Sequence, residues 1–182
     1  MTEHHQIGKI EETDGNGVIN LPIGHYAIVN NKYRLGKLYP KISIYGIGSC
    51  IALILCDYIN YVCGMSHILL PKTTKKIIKY PHKFANLSAI LLMQELINYG
   101  AERRHIKAII IGGSRIFDLD DNLMGFDNIG SIKEELNKLN IDIIKEDTGG
   151  SKGRIVIFDS QDFSLSVRST GENDFNIFTN LE

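Results

Sequence analysis

Two apolar runs separated by a short polar turn constrain this chain more than any other feature. Ile51-Ala52-Leu53-Ile54-Leu55 and Val62 to Leu70 flank Asp57-Tyr58-Ile59-Asn60. Runs of this length, bounded by turn residues, predict a β-hairpin. The hairpin would carry Cys50, in the bend Gly46-Ile47-Gly48-Ser49-Cys50, towards His67, in Gly64-Met65-Ser66-His67. The two reactive side chains stand seventeen residues apart in sequence and are predicted to approach each other in space. Pro71 ends the second strand, because proline cannot donate to a ladder.

A cysteine needs little else to become a nucleophile. Its thiolate is the reactive form, and a neighbouring imidazole can take the proton. Cys50 and His67 are therefore the candidate catalytic pair, and the expected mark of the pair is a depressed thiol pKa. Gly46 and Gly48 allow tight or left-handed backbone and keep a Cβ away from a substrate carbonyl. Gly48, Ser49 and Ser66 are the candidate oxyanion and supporting residues. The bland alternative is a cysteine buried in an ordinary Gly-Ser-Cys turn, since cysteine is among the most often buried residue types.

Other chemistries find less support. Neither glycine-rich segment matches a phosphate loop, and Gly46-x-Gly48 lacks the third glycine of a dinucleotide fingerprint. Gly149-Gly150-Ser151-Lys152-Gly153-Arg154 is explained by turn chemistry. No Cys-x-x-Cys pair marks a zinc site. Cys63 and His67 would share a face in a strand, which leaves a metal site open on spacing alone, but Cys56 and Cys63 read as small core residues. No metal is assigned, and attack by a thiolate needs no cofactor.

Along the chain, Met1 to Gly17 is polar and predicts a flexible tail. His25 to Val29 predicts a strand, Asn30-Asn31 a turn, and Lys32 to Pro40 a lengthened connection to the strand at Ser43 to Tyr45. Lys72 to Lys83, with five lysines, predicts an exposed loop. Phe84 to Tyr99 predicts a helix with Leu87, Ile90, Leu91, Leu92, Met93, Leu96 and Ile97 on a wide apolar face, stopped by Gly100. Ile106 to Ile111 predicts a strand buried on both faces. Asn128 to Leu139 predicts a second helix packed through Ile129, Ile132, Leu136 and Leu139; Ser131 and Glu134 have capping-box spacing, which leaves its start open by a turn. Ile141 to Lys145 predicts a strand, Arg154 to Phe158 and Phe163 to Val167 a closing hairpin, and Ser169 to Glu182 a peripheral end. Strands, helix, strand, helix and strands again is not a doubly wound order, so the expected fold class is α+β, a layered single domain over residues 18–168.

Composition narrows the partners. The chain has 182 residues, one domain's worth, with 20 basic against 21 acidic side chains and no basic block, so nucleic acid is a poor partner. No apolar run approaches the roughly 18 residues of a membrane span, so no membrane insertion is expected. The first residues lack a signal peptide's apolar core, and three cysteines without a framework fit a reducing cytoplasmic setting.

The motifs Gly46-x-Gly48-Ser49-Cys50 and Gly64-Met65-Ser66-His67-x-Leu69-Leu70-Pro71 continue with Gly112-Gly113-Ser114-x-x-Phe117 and Glu146-Asp147-Thr148-Gly149-Gly150, then Gly153-Arg154. In that order, from about Gly24 to Arg168, they resemble the CheD family of chemoreceptor glutamine deamidases. The resemblance implies mixed β-sheets packed together with helices outside. It also implies a Cys-His amidohydrolase that converts receptor-bound glutamine to glutamate with release of ammonia. Gly112, Gly113, Thr148, Gly149 and Gly150 would then form loops at the substrate. The implied partners are the cytoplasmic helices of a chemoreceptor and a CheC-type phosphatase. The family carries a threonine six residues before its cysteine, where this chain has Ile44. Isoleucine makes no hydrogen bond, and period-two alternation points Ser43 to the opposite face. Either the register is altered or a backbone carbonyl orients His67. A non-catalytic adaptor that keeps the binding partners is the second reading. Asp127 stands where the family has arginine before Asn128.

Overall fold

The computed structural model describes residues 9–10, 12–31, 40–116 and 123–179. The expected connection at 32–39, most of the tail and Phe117 lie outside them. Ten strands and two α-helices run in the order β1 (Val18–Asn20), β2 (Tyr26–Asn30), β3 (Lys41–Ile47), β4 (Ile51–Asp57), β5 (Val62–Ile68), α1 (Ala85–Asn98), β6 (Ile106–Gly112), α2 (Met124–Lys138), β7 (Ile143–Thr148), β8 (Arg154–Asp159), β9 (Leu165–Ser169) and β10 (Asn176–Phe178). They build two five-stranded sheets, β2-β5-β4-β6-β7 and β1-β3-β8-β9-β10. Each mixes parallel and antiparallel pairs. The α+β layered fold is therefore the observed one.

Strand β4 fixes the layering. All seven of its residues are buried, as are all seven of β5. Alternate side chains go to opposite faces of a strand, so both faces of this hairpin need cover. Ala52, Ile54, Cys56, Cys63 and Met65 pack between the two sheets with Ile42, Ile44, Val156 and Phe158. Ile51, Leu53, Leu55, Val62 and Ile68 pack under the helices with Ala89, Leu92, Leu96, Ile132 and Leu136. Strand β6 is split likewise, Ile109 and Ile111 to the inter-sheet side, Ala108 and Ile110 to the helix side. Both helices cover the first sheet. No described helix is long and apolar enough to cross a membrane.

The predicted hairpin forms, with its register running from Asp57↔Val62 at the turn to Ile51↔Ile68 at its mouth. Other expectations shift. The first helix buries Ala85, Ser88, Ala89, Leu92, Met93 and Leu96, while Ile90 and Ile97 are 38% and 39% exposed. Small residues let the helix lie close to the sheet, so the buried stripe does not follow the largest side chains. The second helix begins at Met124, before the expected Asn128, and Ser131-x-x-Glu134 lies inside it rather than at its start. In the lysine-rich loop, His82 is buried and stacked on Tyr26 with ring centroids 4.0 Å apart. Near the amino terminus, Ile10 donates to Tyr26 O at 2.8 Å. The closing segment adds the short edge strand β10, which the polar sequence did not announce.

Asp57 closes the hairpin turn. Its buried carboxylate accepts from the amides of Ile59, Asn60 and Glu102 at 3.0, 3.0 and 2.7 Å, and from Asn60 Nδ2 at 2.8 Å. Burial works to raise its pKa, but the bonds from Asn60, Glu102 and Ile59 outweigh that and hold it below the usual aspartate value. A depressed folded pKa means stability present above the unfolded value, about 3.9, and lost as pH falls through the folded one. We expect Asp57→Ala to cost about 2–4 kcal/mol at pH 7. The gap from wild type should narrow in acid, as read by urea denaturation at both pH values.

Candidate active site

The bend before β4 begins at Gly46, whose φ of +78° is left-handed. Beyond it, three successive carbonyls of the bend each find a donor. Ser114 N donates to Gly48 O, Asn128 Nδ2 to Ser49 O, and Gly113 N to Cys50 O, all at 2.8 Å. In a trans peptide the N–H points opposite to the C=O. The amides of Ser49 and Cys50 consequently face the other way, and neither donates to a backbone carbonyl among the described residues.

The loops behind this bend are those expected near the substrate. Gly112 ends β6 and pairs with Thr148 at the end of β7. Its φ is +119°, and a Cβ there would sit 2.2 Å from Cys50 O, so only glycine admits the contact. Gly149 N donates to Gly112 O, and Arg115 N to Gly150 O, both at 2.8 Å. Arg154 ties these loops from β8: Nη1 donates to Ser114 Oγ and, at 3.0 Å, to Gly149 O, while Nη2 meets Asp147 Oδ1 at 2.6 Å. Gly112, Gly113, Thr148, Gly149 and Gly150 thus form the rear wall of the cysteine bend. The absent Cβ of Gly48 makes room for Ile116 Cδ1, which a Cβ would meet at 2.4 Å.

His67 lies opposite Ala52 in the β4–β5 register. Its amide donates to His25 O and its carbonyl accepts from Gly24 N, so its peptide groups are turned to the β2 side. Ala52 and His67 are therefore a non-hydrogen-bonded pair of β4 and β5, the closer kind. Ala52, Met65 and Cys50 all pack in the inter-sheet core, which puts His67 and Cys50 on one face of the sheet. His67 Nδ1 lies 3.0 Å from Leu21 O. A carbonyl only accepts, so Nδ1 carries the proton, and Nε2 is left as the acceptor nitrogen. Nε2 is buried with no hydrogen-bond partner among the described residues.

Ile44 is 1% exposed in the inter-sheet core on β3. Ser43 is turned the other way and donates to Asn20 Oδ1. Of the two alternatives left by the sequence, a backbone carbonyl is the one observed beside His67. Leu21 N in turn donates to Ser43 O at 2.9 Å, so β3 supports the imidazole at one remove. Ser66 does not reach the site: its Oγ is 2.8 Å from Ser88 Oγ on α1, on the helix side of the sheet. Ser49 sits at the rim, with Oγ 4.0 Å from Met124 Sδ. The sequence reading missed Leu21, which acts through a main-chain atom that no side-chain motif can mark, and the bridging role of Asn128.

The electrostatics of the pair differ from expectation. Burial pushes the Cys50 thiol up, only partly offset by its own backbone amide. Burial also pushes His67 down, against the Leu21 bond that raises it, with His25 lowering it further. Both shifts favour the neutral forms, thiol and imidazole, the opposite of the depressed thiol pKa that the sequence suggested.

The protein is a layered α+β domain that holds a cysteine bend and a tautomer-fixed histidine on one face of its first sheet. The family model described as CheD chemotactic sensory transduction matches residues 69–169, which takes in the rear wall and begins two residues after His67. Three clostridial relatives extend the likeness. The chain is 40% identical to one from Clostridium novyi over 72% of this chain and 84% of the relative. It is 37% identical to one from Clostridium botulinum (76% and 88%) and 38% identical to one from Clostridium kluyveri (69% and 81%). Each of the three is described as a probable chemoreceptor glutamine deamidase CheD. The chain belongs to the CheD family.

Cys50 is 8% exposed, whereas Cys56 and Cys63 are 0% exposed. Limiting iodoacetamide should therefore label Cys50 alone in the folded protein. Its rate should keep rising with pH past the inflection of a free cysteine, about 8.5, as followed by peptide mass spectrometry.

Proposed function

We propose that this chain is a cysteine-dependent chemoreceptor glutamine deamidase acting in chemotaxis on the cytoplasmic helices of a receptor. The observation that carries the reading is the bend itself, with the carbonyls of Gly48, Ser49 and Cys50 held from behind and the amides of Ser49 and Cys50 turned out beside the nucleophile. The family membership and the names of the relatives support the substrate.

In this mechanism His67 Nε2 takes the proton of Cys50 Sγ. The thiolate attacks the side-chain carboxamide carbon of a receptor glutamine, forming the C–S bond. The negative charge that develops on the carboxamide oxygen is met by the two amides. His67 then returns its proton to the nitrogen, the C–N bond breaks, and ammonia leaves. Water, deprotonated by the same Nε2, cleaves the thioester to glutamate and frees the thiol. The Leu21 carbonyl stabilises the imidazolium formed in each half-reaction, the task that a threonine hydroxyl would perform at position 44. Each turnover adds one negative charge to the receptor, which is the signal a chemotaxis pathway can use. A CheC-type phosphatase is the second proposed partner. The adaptor reading rests on Ile44 alone, and Leu21 O weakens it.

Purified protein should release ammonia from a recombinant receptor cytoplasmic fragment. Cys50→Ala should abolish this, and His67→Ala should slow it by about 10²–10⁴-fold. No ammonia from wild type, with receptor binding retained, would favour the adaptor. Ile44→Thr replaces a packed core side chain, so it should cost about 1–3 kcal/mol in melting or urea curves. Turnover should stay level or fall; a faster variant would mean that Leu21 O does not suffice.

A further inference from the structure

Asn128 lies in the first turns of α2, is fully buried, and spends both protons of its Nδ2 on the site. One goes to Ser49 O at 2.8 Å, the other to Leu69 O at 2.9 Å. Both partners are carbonyls, so the amide can be oriented in only one way. Its Oδ1 is left buried with no hydrogen-bond partner among the described residues. An unpaired buried acceptor is costly, so general packing does not explain an asparagine here.

What the side chain holds is specific. Ser49 O and the Cys50 N–H belong to one planar peptide group, so pinning the carbonyl aims the amide. Leu69 lies just past His67, at the end of the opposite strand. A single nitrogen therefore joins the two sides of the hairpin mouth, with the nucleophile's own amide on one side and the base's strand on the other. The two companion carbonyls, of Gly48 and Cys50, are held by main-chain donors, Ser114 N and Gly113 N. Among the three carbonyl contacts only that of Asn128 comes from a side chain, so it alone can be removed by substitution without rebuilding a loop.

We infer that Asn128 is a positioning residue that aims the Cys50 amide at the oxyanion of the reacting carbonyl and sets the span between the cysteine bend and the histidine strand. The inference rests on the deamidase reading for its physiological substrate, but its chemistry can be read without a receptor. Acetylation of Cys50 by p-nitrophenyl acetate forms a C–S bond through a tetrahedral oxyanion, and the electron pair of the broken C–O bond leaves with p-nitrophenolate. Alkylation by iodoacetamide forms a C–S bond by displacement of iodide and develops no oxyanion. A change in the amide's aim should therefore affect the first reaction and spare the second.

Full-length wild type, Asn128→Ala and the isosteric Asn128→Asp are compared with both reagents at one pH, with the modified cysteine identified by mass spectrometry. Both variants should acetylate Cys50 at least about tenfold more slowly, a fraction of the 10²–10³ associated with losing an oxyanion donor outright. Alkylation should stay within about twofold of wild type. On a receptor fragment, kcat should fall by a similar factor with KM little changed. Equal slowing of both reactions, no slowing of acetylation, or a wild type that is not acetylated at Cys50 would each overturn the inference. Cys56 and Cys63 report on folding: if both variants expose these thiols, Asn128 is a structural residue only, and the inference fails. A wild type that releases no ammonia from receptor yet shows the acetylation–alkylation split would sink the deamidase reading and leave the positioning role standing.

Discussion

Strand β4 has no side that faces water, and the architecture follows from that. A strand buried on both faces must lie inside a three-layer stack; here helices cover one face and a second sheet the other. The only way out of such a strand is through its ends. At one end the chain makes the Asp57 turn. At the other it must leave the core with its carbonyls satisfied, and that exit is the cysteine bend. The Cys50 thiol is thus placed at the point where a fully buried strand meets the surface, which accounts for its 8% exposure.

Burial also sets the terms of the chemistry. A thiol and an imidazole held in an apolar layer both favour their neutral forms. In the proposed mechanism, proton transfer makes a charged pair inside the protein, and its cost is offset by fixed dipoles: the Leu21 carbonyl towards the imidazolium and the amides of the bend towards the developing oxyanion. These dipoles are main-chain atoms locked by sheet and loop geometry, so they need not reorganise during the reaction. A cysteine protonated at rest is also less exposed to adventitious oxidation than a standing thiolate.

Much of this was legible in the sequence, for identifiable reasons. The hairpin, β6 and the two helices are written in side-chain pattern, and Cys50 and His67 are marked by their chemistry. The misreadings share one cause, reliance on side-chain identity where the backbone decides. Leu21 enters the site through its carbonyl. Ser66 has the right residue type but falls on the wrong parity of β5, and period two sends it to α1. Ile90 and Ile97 are apolar yet exposed, because Ala85, Ser88 and Ala89 allow a closer helix approach than bulk would. The Cys50 thiol is raised by burial, which a motif does not encode.

Arg154 gives the rear wall a different property from the rest of the fold. One planar cation on β8 joins residues of two separate stretches, Ser114 and the run from Asp147 to Gly149, and so connects the second sheet to loops of the first. Sites that share a hydrogen-bonding partner do not respond independently to change. The stretches around Ser114 and Asp147 to Gly149 are therefore bound to drift together or hardly at all, while the helix surfaces and outer strand edges are free to diverge. Inheritance in this chain should have two tempos, a slow one that includes the neighbourhood of this guanidinium and a faster one on the helix surfaces and outer strand edges.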